Sequence, residues 1–337
     1  MILIKAIFLI SLSTTSMNIQ QLEYVIALAE TRHFESAAAR CFVTQSTLST
    51  MIAKLESEMG ITFFDRKQKP LGITADGLPV IEHMRIILME IQQLQEIAKE
   101  LKGEVKGDLK MAVIPTIAPF LLPLFLQHFA QKFPLLKIRV RELTTTEIMR
   151  QLKSRDLDVG IVSTPLHDAE IVEHKLYDEP FVYFDAGRKQ PKTVSVEKLD
   201  LRNIVLLEEG HCLRAQVVQF CDVKRKPLGN RLNFEFKAGS IDSLLRFVKA
   251  NKAATLLPYL ATAEMPLRDL NRVSRFSGHE PYRSVGIVVH KHFVKKQVLE
   301  LMQQEIVAVV AKVMPQRRMK GEGLEPLVKW DYRIVGL

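Results

Sequence analysis

The sequence predicts a mixed α/β protein built as an N-terminal winged helix-turn-helix, a long helix, and a two-lobed α/β domain. Three observations carry that expectation. Apolar residues recur at helical spacing from Asn18 to Met59, in segments joined by tight turns. A stripe at 3–4 spacing then runs unbroken from Leu78 to Leu101. From Gly107 onward, strand-like and helix-like segments alternate, the pattern of an α/β layer with a parallel sheet.

The totals narrow the class. At 337 residues, two or three domains are expected, and 47% apolar with 25% charged residues suits a protein that buries full cores. Three cysteines, an odd number, argue against a secreted disulfide framework and for a reducing, cytoplasmic setting. The net charge of +9 suggests anionic partners. It does not lie in residues 17–75, where Arg32, Arg40, Lys54, Arg66, Lys67 and Lys69 are balanced by Glu23, Glu30, Glu35, Glu56, Glu58 and Asp65. Any nucleic-acid role therefore has to rest on a motif rather than on bulk charge.

Residues 1–16 hold one lysine and the apolar run Ala6–Ile10, like the core of a signal peptide but too short to span a membrane. Without a small-x-small cleavage site, the segment is expected to be an upstream extension, with Met17 the start of the working chain and no membrane partner.

Residues 17–75 are expected to be the winged helix-turn-helix. Asn18–Thr31 carries Leu22, Val25, Ile26, Leu28 and Ala29 on one helical face. Phe34–Cys41 is a short second helix whose Ala37 and Ala38 permit close crossing, and Cys41 is expected in its core. Phe42 and Val43 make the turn. Thr44 caps a third helix, Gln45–Met59, with Leu48, Ile52 and Leu55 inward. Gln45, Ser46, Ser49 and Thr50 then face outward, able with Thr44 to reach base edges or phosphates of double-stranded DNA, while Lys54, Lys67 and Lys69 suit phosphate contacts. The alternative is a plain three-helix packing unit.

Phe34-x-x-Ala37-Ala38, Val43-Thr44-Gln45-x-x-Leu48-Ser49, Lys54-Leu55-Glu56, Phe64-Asp65-Arg66 and Thr74-Ala75-x-Gly77 resemble the N-terminal signature of LysR-type transcriptional regulators. The sequence departs from it at Ser46, where that family usually has proline, at Met51, where glutamine is frequent, and at Pro70 and Gly72 in the wing.

Residues 76–103 carry Leu78, Ile81, Met84, Leu88, Ile91, Leu94, Ala98 and Leu101 opposite a polar face. Such a stripe is expected to pair with a second copy, making this a dimerisation helix, with intramolecular docking as the alternative.

Residues 104–314 are expected to form the effector domain. One lobe takes 104–179 and 284–314, the other 180–283. Strands are read at Leu109–Ile114, Lys137–Glu142, Asp158–Val162, Ile204–Leu207, Thr255–Leu257 and Ser284–Val289, and helices at Ala118–Phe133, Thr145–Arg155, from Cys212, Asp242–Ala250 and Phe293–Val313. Two α/β lobes joined by crossing strands would resemble periplasmic binding proteins, as used by LysR-type regulators to sense effectors. Ligands of such sheets bind beyond the strand ends, where Thr116 and Thr145 fall.

Within this domain lies Glu208-Glu209-Gly210-His211-Cys212-Leu213-Arg214, with Cys221 nine residues beyond Cys212. His211, Arg214 and a helix start favour the Cys212 thiolate, and the two glutamates oppose it. The other reading is that both cysteines are small buried hydrophobes. No zinc-type spacing, phosphate-cradling glycine loop or Ser/His/Asp set stands out, so neither metal nor cofactor is expected.

Ile114-Pro115-Thr116-Ile117-Ala118-Pro119-Phe120-Leu121-Leu122-Pro123, Gly210-His211-Cys212-Leu213-Arg214 with Cys221, and Thr255-Leu256-Leu257-Pro258 narrow the resemblance to the peroxide-sensing OxyR group. It implies a non-enzymatic, oxidative-stress transcription factor, an activator acting as homodimer or homotetramer with RNA polymerase. In that resemblance Cys212 is the peroxidatic cysteine and Cys221 the resolving one. Thr116, Thr145, His211 and Arg283 surround hydrogen peroxide, and a glutathione-linked reductant resets the switch. If residues 212–221 form one helix, the two Cα atoms lie about 13 Å apart, whereas a disulfide needs about 7 Å or less. The implied bond would then require refolding. Asn251 and Ala253 stand where the group usually has glycines, and asparagine accepts left-handed backbone more readily than alanine. The tail 315–337, with its basic run Arg317-Arg318-Met319-Lys320, lies beyond the resemblance and is expected to be a flexible extension.

A LysR-type regulator answering to a small anion in the cleft is the nearest alternative. A thiol peroxidase leaves the helix-turn-helix unexplained, and a solute-binding protein leaves residues 17–103 unexplained.

Overall fold

The structure is a computed structural model that describes residues 17–100, 105–196, 199, 203–208, 211–222, 236–278 and 280–314. The expectations for residues 1–16, for Lys102-Gly103 as a helix end and for the tail 315–337 lie outside these residues. The chain divides into two compact units, at Lys102/Gly103.

In the first unit, α1 (Ile19–Thr31) opens on a capping box: Asn18 Oδ1 accepts from the Gln21 amide, and Gln21 Oε1 accepts from the Asn18 amide, each at 2.9 Å. Helix α2 (Phe34–Arg40) ends one residue before Cys41, which is half-buried rather than in the helix core. Phe42 turns the chain with a left-handed φ of 55°. Helix α3 (Gln45–Met59) has the predicted bounds, because Thr44 Oγ1 accepts from the Thr47 amide at 3.2 Å and Gly60 closes the other end at φ 67°. Leu48, Ile52 and Leu55 are fully buried against Ala37, Ala38 and Leu28.

A two-stranded wing follows, β1 (Phe64–Asp65) antiparallel to β2 (Gly72–Ile73). Glu56 of α3 fixes it, accepting from the Phe63 amide at 2.7 Å and pairing with Arg66 at 3.4 Å. Gly77, which starts α4 (Gly77–Glu100), lets that helix approach closely. A Cβ there would lie 2.7 Å from the Phe63 backbone.

Helix α4 divides its apolar stripe. Ile81 and Met84 are buried in the core of this unit, and Arg85 pairs with Glu30 of α1. Leu94 is 67% exposed. Ile81 and Met84 are thus docked within the chain, while Leu78, at 45% exposure, and the later turns around Leu94 are left open among the described residues.

In the second unit the elements run β3 (Gly107–Val113), α5 (Ala118–Lys132), β4 (Leu136–Glu142), α6 (Thr145–Lys153), β5 (Val159–Thr164), β6 (Ile171–Asp185), β7 (Thr193–Val194), α7 (Cys212–Asp222), α8 (Ile241–Ala250), β8 (Ala254–Pro258), α9 (Leu267–Leu270), β9 (Val273–Phe276), β10 (Tyr282–His290) and α10 (Lys296–Val313). The sheet order is β4-β3-β5-β10-β6-β9-β7, with β8 also on β6. Only β4, β3 and β5, and the β7–β9 pair, are parallel. Strands β10 and β6 run antiparallel to their neighbours, so the expected parallel sheet is mixed.

Two hydrophobic cores result, one around Phe125, Ile161 and Ile287, the other around Phe184, Leu213 and Leu257. Strand β6 contributes to both, through Ile171 and Leu176 to the first and Phe181–Phe184 to the second, while β10 packs into the first. The stretch read as a strand at Ile204–Leu207 makes only isolated bridges, Ile204 with Ala254 and Leu207 with Ala238. After α8 it is Lys252, not Asn251, that takes the left-handed backbone, at φ 50°. Asn251 sits at φ −100°, and the Ala253 amide donates to Val248 O at 3.0 Å, the closing bond of a Schellman turn.

Candidate functional site

The site is built on the pairing of β6 with β10, at the point where β6 passes from one core to the other. There Glu179 and Arg283 are directly opposed in antiparallel register. Cross-strand neighbours share a face of the sheet, so the two side chains meet. Both are 1% exposed, in a buried ion pair. Arg283 Nε and Nη2 donate to Glu179 Oε2 at 2.9 and 2.7 Å, while Glu179 Oε1 accepts from the Leu260 amide at 2.9 Å.

Thr116 completes the cluster from the loop between β3 and α5. Arg283 Nη1 donates to its Oγ1 and Nη2 to its backbone carbonyl, both at 3.0 Å. Among the described residues, four of the five guanidinium N–H groups are therefore engaged, and one on Nη1 remains. Because Thr116 Oγ1 accepts from Arg283, its own hydroxyl proton is also left to donate. The cluster thus presents two donors beside a buried positive charge, a combination suited to an oxygen that carries or develops negative charge.

Burial on its own would depress the Arg283 pKa. The Glu179 carboxylate first, then Cys212 and Tyr177, more than reverse this and raise it, so the guanidinium stays charged. Tyr177 sits two residues before Glu179 on β6. Its hydroxyl is buried without a hydrogen-bond partner, and burial, followed by the Glu179 charge, pushes its pKa well up.

Cys212 is a buried free thiol at the first position of α7, within the electrostatic reach of Arg283. Its helix spans both cores. Cys212 joins the first, while Leu213, Val217 and Phe220 join the second at 4 and 3 spacing. The backbone of Cys221 lies in the same helix, so the two cysteine Cα atoms are about 13 Å apart along its axis. The Cys221 side chain lies outside the described residues. Arg214 Nη1 donates to Leu207 O at 2.9 Å and ties the first turn of α7 down.

Of the residues singled out in the sequence, Thr116 and Arg283 are thus hydrogen-bonded, with Cys212 within the electrostatic reach of Arg283. Thr145 is buried at the start of α6, behind the capping Thr144. His211 pairs at 3.8 Å with Glu208. Among the described residues, neither side chain hydrogen-bonds to Arg283 or Thr116. Sequence reasoning missed Glu179 and Tyr177. The available signal was an acid heading a five-residue apolar stretch, Glu179-Pro180-Phe181-Val182-Tyr183-Phe184, where an unpaired charge is too costly to bury.

In the first unit, Gln45, Ser46 and Thr50 are exposed at the start of α3, with Ser49 half-buried. Thr44 is engaged in capping. Lys54, Lys67 and Lys69 are exposed, Lys54 lying 3.8 Å from Glu58. No helix among the described residues is long and apolar enough to cross a membrane.

Comparison with known proteins agrees with this architecture. Residues 19–78 match the bacterial regulatory helix-turn-helix protein model of the lysR family, and residues 102–311 match the LysR substrate binding domain. The hydrogen peroxide-inducible genes activator of Dickeya chrysanthemi is 35% identical over 275 residues, covering 81% of this chain and 89% of that protein. The transcriptional regulator EstR of Acinetobacter baylyi is 34% identical over 281 residues, covering 81% of this chain and 91% of that protein. Among solved structures, a full-length OxyR variant from Pseudomonas aeruginosa superposes with a TM-score of 0.67 at 27% identity, covering 86% of this chain and 98% of the other. With two family domains matched in tandem, and a regulator of hydrogen peroxide-inducible genes at 35% identity, the chain belongs to the LysR family of bacterial transcriptional regulators, in its OxyR group.

Proposed function

We propose that this protein is a hydrogen peroxide-responsive regulator of oxidative-stress genes, switched by oxidation of Cys212 and a disulfide to Cys221. One observation supports it above the rest: a buried thiol at a helix start lies beside the charged Arg283–Thr116 donor cluster, in a helix that also holds the second cysteine.

The Cys212 thiolate attacks one oxygen of hydrogen peroxide. An S–O bond forms, the O–O bond breaks heterolytically, and hydroxide leaves, giving the sulfenic acid. The free Arg283 Nη1 hydrogen and the Thr116 hydroxyl stabilise the departing oxygen. Thr145 and His211 complete the pocket once peroxide is bound. The Cys221 thiolate then attacks the sulfenic sulfur, a second hydroxide leaves, and the disulfide closes. Since about 13 Å cannot be spanned by a disulfide, α7 must unwind, pulling Leu213, Val217 and Phe220 out of the second core. Each such side chain contributes roughly 1.5–3 kcal/mol when buried, so the oxidised form repacks that lobe.

The repacking is passed through a homodimer or homotetramer, held by the later turns of α4, to the DNA-binding heads. There Thr44, Gln45, Ser46, Ser49 and Thr50 of α3 face the major groove, and Lys54, Lys67 and Lys69 contact phosphates. RNA polymerase reads the outcome, and a glutathione-linked reductant resets it in the cytoplasm. Footprinting of operator DNA before and after peroxide tests this. The footprint is expected to change in the wild type and not in Cys212→Ser. A footprint that shifts in Cys212→Ser would instead favour a small anionic effector, which the spare donors of Arg283 and Thr116 also suit.

A further inference from the structure

We propose that Glu179 is a positioning residue for the Cys212 chemistry, aiming Arg283 at the departing oxygen while screening the thiol from Arg283's charge. The inference deepens the peroxide-sensing reading and rests on it. Three bonds carry it. Glu179 Oε2 takes Nε and one Nη2 hydrogen of Arg283, and Oε1 is anchored by the Leu260 amide of the 3₁₀ turn Tyr259–Thr262. With Thr116 holding two further hydrogens, the planar guanidinium has no rotational freedom, and its one spare N–H has a fixed direction.

Orientation is half of the role. A carboxylate 2.7 Å from the guanidinium also cancels most of its field in a region shut off from solvent. Cys212 lies within that field. Among the described residues, the charged or titratable groups facing the thiol's surroundings are His211, paired with Glu208, and Arg214 on its own segment, Arg283 on β10, and Glu179 and Tyr177 on β6 beside Arg283. Removing the Glu179 charge leaves Arg283 uncompensated. The thiolate then gains, even as the N–H loses its aim. The two consequences have opposite signs, which a general loosening of the fold would not produce.

The test uses the full reduced chain and its Glu179→Gln variant. The pH profile of Cys212 alkylation by iodoacetamide, followed on the Cys212 peptide by mass spectrometry, reads the thiol. The rate of Cys212 oxidation by hydrogen peroxide on the high-pH plateau reads the aim. Glu179→Gln is expected to lower the alkylation midpoint by about one pH unit and to slow plateau oxidation by about 10–100-fold. An unchanged or raised midpoint, or an unchanged plateau rate, overturns the proposal. If Glu179→Gln does not fold, Glu179→Asp keeps the charge but shortens the reach. It is expected to keep the wild-type midpoint and lose about tenfold in plateau rate, and an undiminished rate there overturns the aiming role. A wild-type chain unreactive to peroxide would instead remove the sensing reading, leaving the midpoint shift to judge Glu179 by itself.

Discussion

Arg283 donates to both the hydroxyl and the backbone carbonyl of Thr116, at 3.0 Å each. One residue thereby orients the guanidinium and has its own proton freed for a ligand. Thr116→Val keeps the shape and the carbonyl bond but strands an Nη1 hydrogen in a buried site. A loss of about 1–3 kcal/mol is expected in urea unfolding, with plateau oxidation of Cys212 slowed by at least tenfold. Stability lost without any change in rate would confine Thr116 to a structural part.

Tyr177 makes the opposite case. Among the described residues its buried hydroxyl has no partner, so it lowers stability rather than adding to it. Tyr177→Phe removes the unsatisfied group and leaves the ring. The variant is expected to be neutral or more stable by about 1 kcal/mol, read as a shift in the urea midpoint at constant slope. A clear destabilisation would mean that the hydroxyl finds a partner in solution.

Leu213 bears on the switch itself. Leu213→Ala removes a buried contact between α7 and the second core. The reduced protein is expected to lose about 2–5 kcal/mol. The proposed unwinding of α7 in the oxidised form would already have removed that contact. The variant should therefore be oxidised more readily and have a lower disulfide reduction potential than the wild type, measured against glutathione redox buffers. An equal or higher potential would argue that α7 keeps its packing on oxidation.

Glu147, on the exposed first turn of α6, gives a pH signature. Hydrogen bonds from Arg150 first, then Gln151, hold its carboxyl down to about 2 from an ordinary 4.5. A depressed folded-state pKa stabilises above the unfolded value, and that contribution is lost as pH falls from about 4.5 through about 2. Arg150→Gln is expected to return the Glu147 titration, followed by NMR, toward the ordinary carboxylate range. Being solvent-exposed, the pair should contribute less than about 1 kcal/mol at neutral pH.

At the other end of the chain, Thr44 and Lys67 separate two kinds of contribution. Thr44→Ala removes the cap of α3 and should cost about 1 kcal/mol of stability. Lys67→Ala should leave stability unchanged and lower the slope of log affinity for operator DNA against log salt by about one. Identical slopes would place Lys67 off the DNA.

The sequence was most informative where local chemistry decides structure. The bounds of α3 follow from Thr44 and the spacing of Leu48, Ile52 and Leu55, so they could be read directly. Helix α7 was legible over Leu213–Phe220, inside the Cys212–Asp222 that it spans. Strand β6 was not. Over Ile171–Asp178 only Ile171 and Leu176 are buried, five residues apart, and burial is then uninterrupted from Glu179 as the strand crosses between cores, so no strand period holds along its length. The partner of Arg283 was hidden because Glu179 and Arg283 are joined only by strand pairing across 104 residues of sequence. Which residue after α8 is left-handed was not legible, since the Schellman closure at Ala253 and not residue preference selects Lys252.

The most direct measurement is a free-thiol count with peptide mapping, before and after near-stoichiometric hydrogen peroxide. Peroxide sensing through Cys212 predicts the loss of two thiols, a linked peptide joining Cys212 to Cys221, and Cys41 still reduced. Survival of all three thiols would contradict it and leave the Arg283–Thr116 site to a small anionic ligand.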